Sequence, residues 1–155
     1  MGEIISILLI IIFSQFVTSV IIILSNKNKV IESNGPDINK HLPNVYDKHL
    51  HMQDKDALII YINPQCNTCK DIIKNVQENY LKVKNIVFLT YGEKKEIDGL
   101  NAIMNINNLI VLSESVIKKD MKITLFPFAI IIKNNIVVKK DIATNTLVKE
   151  FVEMV

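Results

Sequence analysis

From Ile4 to Ser25 the chain runs 22 residues without a charge, IISILLIIIFSQFVTSVIIILS. Wound as a helix rising about 1.5 Å per residue, such a run crosses a hydrocarbon layer of about 30 Å. It constrains the fold more than any other feature, because an all-round apolar helix seldom fits inside a domain this small. A cleaved signal peptide would begin with a basic segment, carry a shorter apolar stretch and end at a small-x-small site. Here the run follows Met1-Gly2-Glu3, and no Ala-x-Ala-like site comes after it. A lipoprotein anchor is excluded because no cysteine follows. We expect an uncleaved single-pass transmembrane helix over 4–25. Glu3 before the run and Lys27 and Lys29 after it would place the rest of the chain on the cytoplasmic side.

Apart from that run, charges are evenly mixed: 18 Lys and Arg against 16 Asp and Glu, a net charge of +2 in 155 residues. No basic stripe marks a nucleic-acid face, so no nucleic-acid partner is expected. Residues 26–55 are polar, with Asn34-Gly35-Pro36-Asp37 and Pro43, and read as a linker with little regular structure. His41, His49 and His51 lie there, at a spacing that matches no zinc pattern, and are read as solvated side chains.

The folded domain is expected over 56–155. Ala57 to Ile62 is a short continuous apolar run typical of a buried parallel strand, and Asn63-Pro64-Gln65 is a turn. A helix follows from about Cys66 to Leu81, with Ile72, Ile73, Val76 and Tyr80 at helical spacing. Strands at 86–90 and 109–112 bracket a helix marked by Ile97, Leu100, Ile103 and Met104. A helical turn is expected over 114–119. Ala129–Ile132 and Ile136–Val138 flank Lys133-Asn134-Asn135, a hairpin turn because Asn tolerates positive φ. Leu147, Phe151 and Val152 mark a closing amphipathic helix. Alternating strands and helices followed by a hairpin imply an α/β mixed sheet flanked by helices, its first three strands parallel.

The two cysteines form Cys66-Asn67-Thr68-Cys69. They would close too small a loop to staple a fold, so they ask for a chemical explanation. Cys66 follows a buried strand and opens a helix, where free amides and the helix dipole favour a thiolate. Cys69 lies one turn on, on the same face, placed to attack a mixed disulfide formed at Cys66. Half a zinc site is the competing reading, but no second cysteine pair exists. Downstream, Pro127 in Thr124-Leu125-Phe126-Pro127-Phe128 opens an apolar strand, where a proline is either an ordinary trans residue at an edge or a cis residue in a special turn.

Together these segments resemble the thioredoxin superfamily. The N-terminal helix and short linker are similar to membrane-anchored TlpA-type proteins, and more narrowly to the methylamine-dehydrogenase accessory thioredoxins (MauD-like). The likeness rests on Asn63-Pro64-Gln65-Cys66-Asn67-Thr68-Cys69-Lys70, Val111-Leu112-Ser113, Phe126-Pro127-Phe128-Ala129, the helix from Asn145 to Glu153, and Gly35-Pro36-Asp37 in the linker. The resemblance implies a thioredoxin-like fold, Cys66 as nucleophile, Cys69 as resolving thiol, and Phe126 with a cis Pro127 as the substrate platform, with no cofactor. The sequence departs from thioredoxin at three places: Asn67-Thr68 instead of Gly-Pro, Gln65 instead of an aromatic, and Ile60 instead of a buried acid.

The expected activity is thiol–disulfide exchange with a protein or peptide, served by an unidentified redox partner. A redox-sensing switch and a copper-delivery module are the alternatives; no methionines cluster near the pair to favour copper. The resemblance and the need for an oxidising compartment imply an extracytoplasmic domain, against the bias of Lys27 and Lys29.

Overall fold

The computed structural model describes residues 2–50, 56–80, 83, 85–103 and 108–155. His51, Leu81 and Met104 of the sequence reading lie outside the described residues. The chain divides into two units, residues 1–33 and 34–155.

The first unit is a single helix, α1 (Gly2–Ser33). It is long and apolar enough to cross a membrane, and it continues past Ser25 through Lys27 and Lys29. Its side chains from Ile5 to Leu24 are all exposed. The hydroxyls of Thr18 and Ser19 donate to the carbonyls of Ser14 and Gln15 at 2.8 and 2.9 Å. Hydroxyls in a helix commonly bond back to the carbonyl one turn earlier in this way.

The second unit is a mixed sheet flanked by helices. In chain order it comprises α2 (Asn44–Leu50), β1 (Ala57–Tyr61), α3 (Asn67–Tyr80), β2 (Ile86–Thr90), α4 (Lys94–Ile103) and β3 (Leu109–Val111). A single π-helical turn (Val116–Asp120) follows, then β4 (Phe128–Lys133), β5 (Ile136–Ile142) and α5 (Asn145–Met154). The strand order is β3-β2-β1-β4-β5. β1 pairs in parallel with β2, and β2 with β3; β4 runs antiparallel to β1, and β5 to β4.

β1 lies at the centre, and all five of its residues are buried, which is why it reads as an unbroken apolar run rather than an alternation. Leu58, Ile60 and Ile62 join the face packed with α3 and α5. On α3 the buried residues are Cys69, Ile72, Ile73 and Val76, a stripe at i, i+3, i+4 and i+7. α5 contributes Leu147, Val148 and Phe151, and its first turn is capped where the Leu147 amide donates to Thr144 Oγ1 at 3.2 Å. The hairpin between β4 and β5 is a two-residue loop, with Asn134 at φ 51° and Asn135 at φ 63°. Such a loop needs positive φ at both positions to match the strand twist.

The other face of the sheet is covered by a segment expected to be linker. Residues 26–33 belong to α1, and 34–50 are built into the domain. Asn34, Gly35 and Pro36 are buried, as are Leu42, Tyr46 and Leu50. The Asn39 amide donates to the Val137 carbonyl at 2.8 Å and the Val137 amide to the Lys40 carbonyl at 2.9 Å, so the strap runs beside β5. Asn34 Oδ1 accepts from the Thr124 amide (2.9 Å) and hydroxyl (3.0 Å). Gly35, at φ 66°, passes so close that a Cβ would lie 3.0 Å from Ile123 Cδ1. The Tyr61 hydroxyl donates to the Tyr46 hydroxyl at 2.7 Å in the interior. Turn residues made this stretch look like linker, but they mark where the chain bends, not whether it packs. The overlooked signal was Leu42, Tyr46 and Leu50 at intervals of four. His41 forms an exposed bridge to Ile136.

Tyr46 is 1% exposed, so Tyr46→Ala should cost about 3–5 kcal/mol, whereas an exposed change such as Lys48→Ala should stay within about 0.5 kcal/mol. Urea unfolding of the full chain in detergent measures both. Burial also pushes both phenols above their usual 10.0. A folded-state value raised in this way stabilises below the unfolded value and is lost as pH rises past it. The same unfolding measurement should therefore show stability falling above about pH 10.

Candidate active site

At the carboxyl end of β1 the chain leaves the sheet through Asn63-Pro64-Gln65 and re-enters order as α3. The turn is held by its own polar groups: the Gln65 amide donates to Asn63 Oδ1 at 2.9 Å, and the Cys66 amide to the Asn63 carbonyl at 3.0 Å. Cys66 is the residue directly before the first helical position and is half-buried. Its sulfur accepts the amide N–H of Cys69 at 3.2 Å. The sulfur therefore takes the place of a capping oxygen over one of the unpaired N–H groups of the first turn.

Cys69 is different in kind. It belongs to the core stripe of α3 and is 0% exposed. Its thiol is pushed up from the usual 9.0 to about 12, chiefly by burial and then by its hydrogen bond to the Cys66 sulfur; the backbone N–H of Asn63 pulls the other way. Both cysteines are free thiols here. Among the described residues no group of three His, Cys, Asp or Glu side chains is arranged to hold a metal ion.

The Phe126–Pro127 peptide is cis. It directly precedes β4, whose Phe128 pairs with Tyr61, the last residue of β1. The antiparallel pairing thus brings this peptide to the same end of the sheet as Cys66. Pro127 is buried, its carbonyl accepts from the Ala143 amide at 3.1 Å, and Phe126 and Cys66 both pack against the core that contains Cys69. All four residues singled out from the sequence lie at one end of one strand. Ile60, where thioredoxin has an acid, is fully buried among apolar neighbours.

Sequence reasoning gave no role to Tyr91, Lys118, Glu114 or Glu96, which lie around this end. Tyr91 follows β2, and its ring meets that of Phe126 edge-on at 5.6 Å and 62°. Lys118 Nζ lies 5.3 Å from the centre of the Tyr91 ring and is paired with Glu114 at 2.6 Å. Gln65 Nε2 donates to Glu96 Oε1 at 2.6 Å. An open cleft of about 360 Å³ lies between Pro64-Gln65 and Lys95-Glu96, with Lys70 on its rim. Tyr91 alone was accessible in principle, because it stands at the carboxyl end of a parallel strand, where such folds place their sites.

A central parallel β–α–β unit followed by an antiparallel hairpin and a closing helix, with a C-x-x-C at the first helix and a cis-proline before the hairpin, is the thioredoxin-like fold. Comparison with protein-family models finds no match, and comparison with curated proteins finds none. Solved structures do match. A secreted Mycobacterium tuberculosis disulfide oxidoreductase homologous to E. coli DsbE is 11% identical, with a TM-score of 0.54 over 65% of this chain and 82% of that one. StoA from Bacillus subtilis is 15% identical, with a TM-score of 0.51 over 63% and 82%. DsbF of M. tuberculosis is 13% identical, with a TM-score of 0.50 over 65% and 81%. These likenesses establish the fold; the narrower resemblance to MauD-like proteins rests on the sequence alone.

The two sulfurs should behave unlike one another. In the reduced protein at neutral pH, iodoacetamide should modify Cys66 and leave Cys69 untouched, as read by peptide mass spectrometry; modification of Cys69 first would reverse the assignment. The raised Cys69 value stabilises the reduced fold below the usual 9.0, and that contribution is lost as pH climbs toward about 12. Cys69→Ser, which does not titrate in this range, should show a smaller alkaline loss of stability.

Proposed function

We propose that the chain is a membrane-anchored thiol–disulfide oxidoreductase that exchanges disulfides with a protein or peptide. The observation that carries this reading is the asymmetry of the pair: a partly exposed Cys66 at the start of α3, and a buried Cys69 one turn behind it. An exchanging dithiol needs one sulfur that meets the substrate and one that meets only the first sulfur.

In the reducing direction the Cys66 thiolate attacks one sulfur of a substrate disulfide. The Cys66–substrate disulfide forms, and the other substrate sulfur leaves as a thiolate. Cys69 then gives up its proton and its thiolate attacks Cys66 Sγ. This forms the Cys66–Cys69 disulfide and frees the second substrate thiol, so two electrons have passed to the substrate. Run backwards, the same steps oxidise a substrate dithiol. With Ile60 in place of a buried acid, the Cys69 proton goes to water or to the departing thiolate. An external dithiol or disulfide partner resets the pair in either direction. Phe126 and the cis Pro127 form the platform on which an extended substrate segment lies beside Cys66, and the Tyr91 ring widens it.

α1 serves as a single-pass anchor, and the domain works outside the cytoplasm, where disulfides persist. The anchor is supported by the length and apolar character of α1. The orientation rests on the redox chemistry, with Lys27 and Lys29 opposing it.

Cys69→Ser should accumulate a mixed disulfide between Cys66 and its substrate, visible as a thiol-reversible high-mass band, and Cys66→Ser should not. Equal behaviour of the two variants would overturn the exchange mechanism. A membrane-impermeant maleimide on intact cells should label Cys66; labelling only after lysis would place the domain in the cytoplasm. The reduction potential of the pair decides the direction, a value near about −270 mV marking a reductant and one near about −120 mV an oxidant.

A further inference from the structure

Gln65, the residue immediately before Cys66, is held at both ends. Its backbone N–H is taken by Asn63 Oδ1 at 2.9 Å, and its side-chain amide by Glu96 Oε1 at 2.6 Å. Glu96 lies on the first turn of α4 and is itself fixed: its other oxygen, Oε2, accepts the Glu93 amide at 3.0 Å. That second bond caps α4 and sets the direction in which the carboxylate points. Gly92 makes the approach possible. It sits at φ 153°, and a Cβ there would lie 2.8 Å from Glu96 Oε2 and 3.3 Å from Pro64 Cγ. A side chain at position 92 would therefore displace the Glu96 carboxylate from where it meets Gln65 and crowd Pro64.

The turn gripped in this way touches both cysteines. Asn63 accepts the Cys66 amide through its carbonyl at 3.0 Å, and its backbone works against the burial that raises the Cys69 thiol. A shift of Gln65 moves the Asn63–Cys66 turn, and with it the line along which Cys69 reaches Cys66. Glu96 is distant in sequence from every residue that meets substrate in the proposed mechanism, and it reaches the cysteine turn through Gln65. Their bond is charge-assisted, the stronger kind of hydrogen bond.

We infer that Glu96, acting through Gln65, is a positioning residue for the cysteine pair: the Glu96–Gln65 clamp sets the alignment in which Cys69 attacks Cys66. This rests on the reading of the pair as an exchanging dithiol. The carboxylate touches neither sulfur's reaction partner, and its role is geometric. Glu96 is held below its ordinary value by the Gln65 hydrogen bond first and the Glu93 amide second.

The test uses the full chain in detergent, reduced, mixed with excess 5,5′-dithiobis(2-nitrobenzoate). Cys66 thiolate attacks the reagent, forms a Cys66–thionitrobenzoate disulfide and releases one coloured thiolate. Cys69 thiolate then attacks Cys66 Sγ and releases the second, leaving the Cys66–Cys69 disulfide and two electrons on the reagent. The second phase reports the intramolecular step without any natural substrate. Glu96→Ala and Gln65→Ala should each slow the second phase by about tenfold, the scale of a small misalignment between reacting groups. The double variant should be no slower than either single, because one interaction is lost in all three. Glu96→Gln keeps one acceptor oxygen for Gln65 but puts an NH2 where Oε2 meets the Glu93 amide, so it should recover part of the rate. Thermal melts of each variant separate this from general loosening, which would lower the melting temperature in step with the slowing. Multiplying effects in the double variant would overturn the clamp. So would singles that match the parent. If the parent itself shows no second phase, the dithiol reading fails instead.

Discussion

The two-sided pairing of β1 is the constraint on which the rest of the domain depends. Every residue of this strand is buried, so its backbone N–H and C=O groups must find partners within the sheet. β2 supplies them in parallel and β4 in antiparallel fashion. The two pairings have opposite directional consequences. The parallel neighbour ends where β1 ends, which places Tyr91 beside the cysteine turn. The antiparallel neighbour begins where β1 ends, which delivers Phe126 and Pro127 to the same place. Three segments far apart in sequence converge because one neighbour runs with β1 and the other against it.

The difference between the sulfurs follows from how α3 packs. A helix that buries positions 69, 72, 73 and 76 has no freedom over which cysteine faces the sheet. Cys69 is committed to the core along with Ile72 and Ile73. Cys66, three residues earlier, stands ahead of the first helical turn, where the amides are unpaired and solvent is near. The same three-residue spacing that puts both on one face also separates them by one turn of depth. Burial of Cys69 and exposure of Cys66 are thus consequences of ordinary amphipathic packing.

The face of the sheet away from α3 and α5 is covered without a long helix of its own. The strap from Asn34 through Leu50 lies there, fixed by backbone pairing with β5, by the Asn34–Thr124 bonds and by the Tyr46–Tyr61 hydroxyl pair. Lys140, on β5, is buried and donates to the Asn34 carbonyl at 2.9 Å. Polar groups therefore hold the strap at several points where apolar burial alone would leave it free to slide.

Much was legible in the sequence because local physics decided it. A 22-residue uncharged run is long enough for an apolar spanning helix; Ala57–Tyr61 reads as a strand buried on both faces; Asn134-Asn135 permits the positive φ of a tight hairpin. The cysteine pair and Pro127 could be singled out because each is costly to explain without chemistry or a special backbone. What the sequence could not determine is what touches what across the fold. That residues 34–50 pack rather than dangle depends on a sheet face needing cover, a fact external to their own composition. That Tyr91 meets Phe126, and that Glu96 grips Gln65, depends on strand order and on the one missing side chain at Gly92. Spacing along a chain encodes periodicity, and periodicity selects helix or strand. Contacts between remote segments arise only once those elements must satisfy their buried polar groups and apolar faces together.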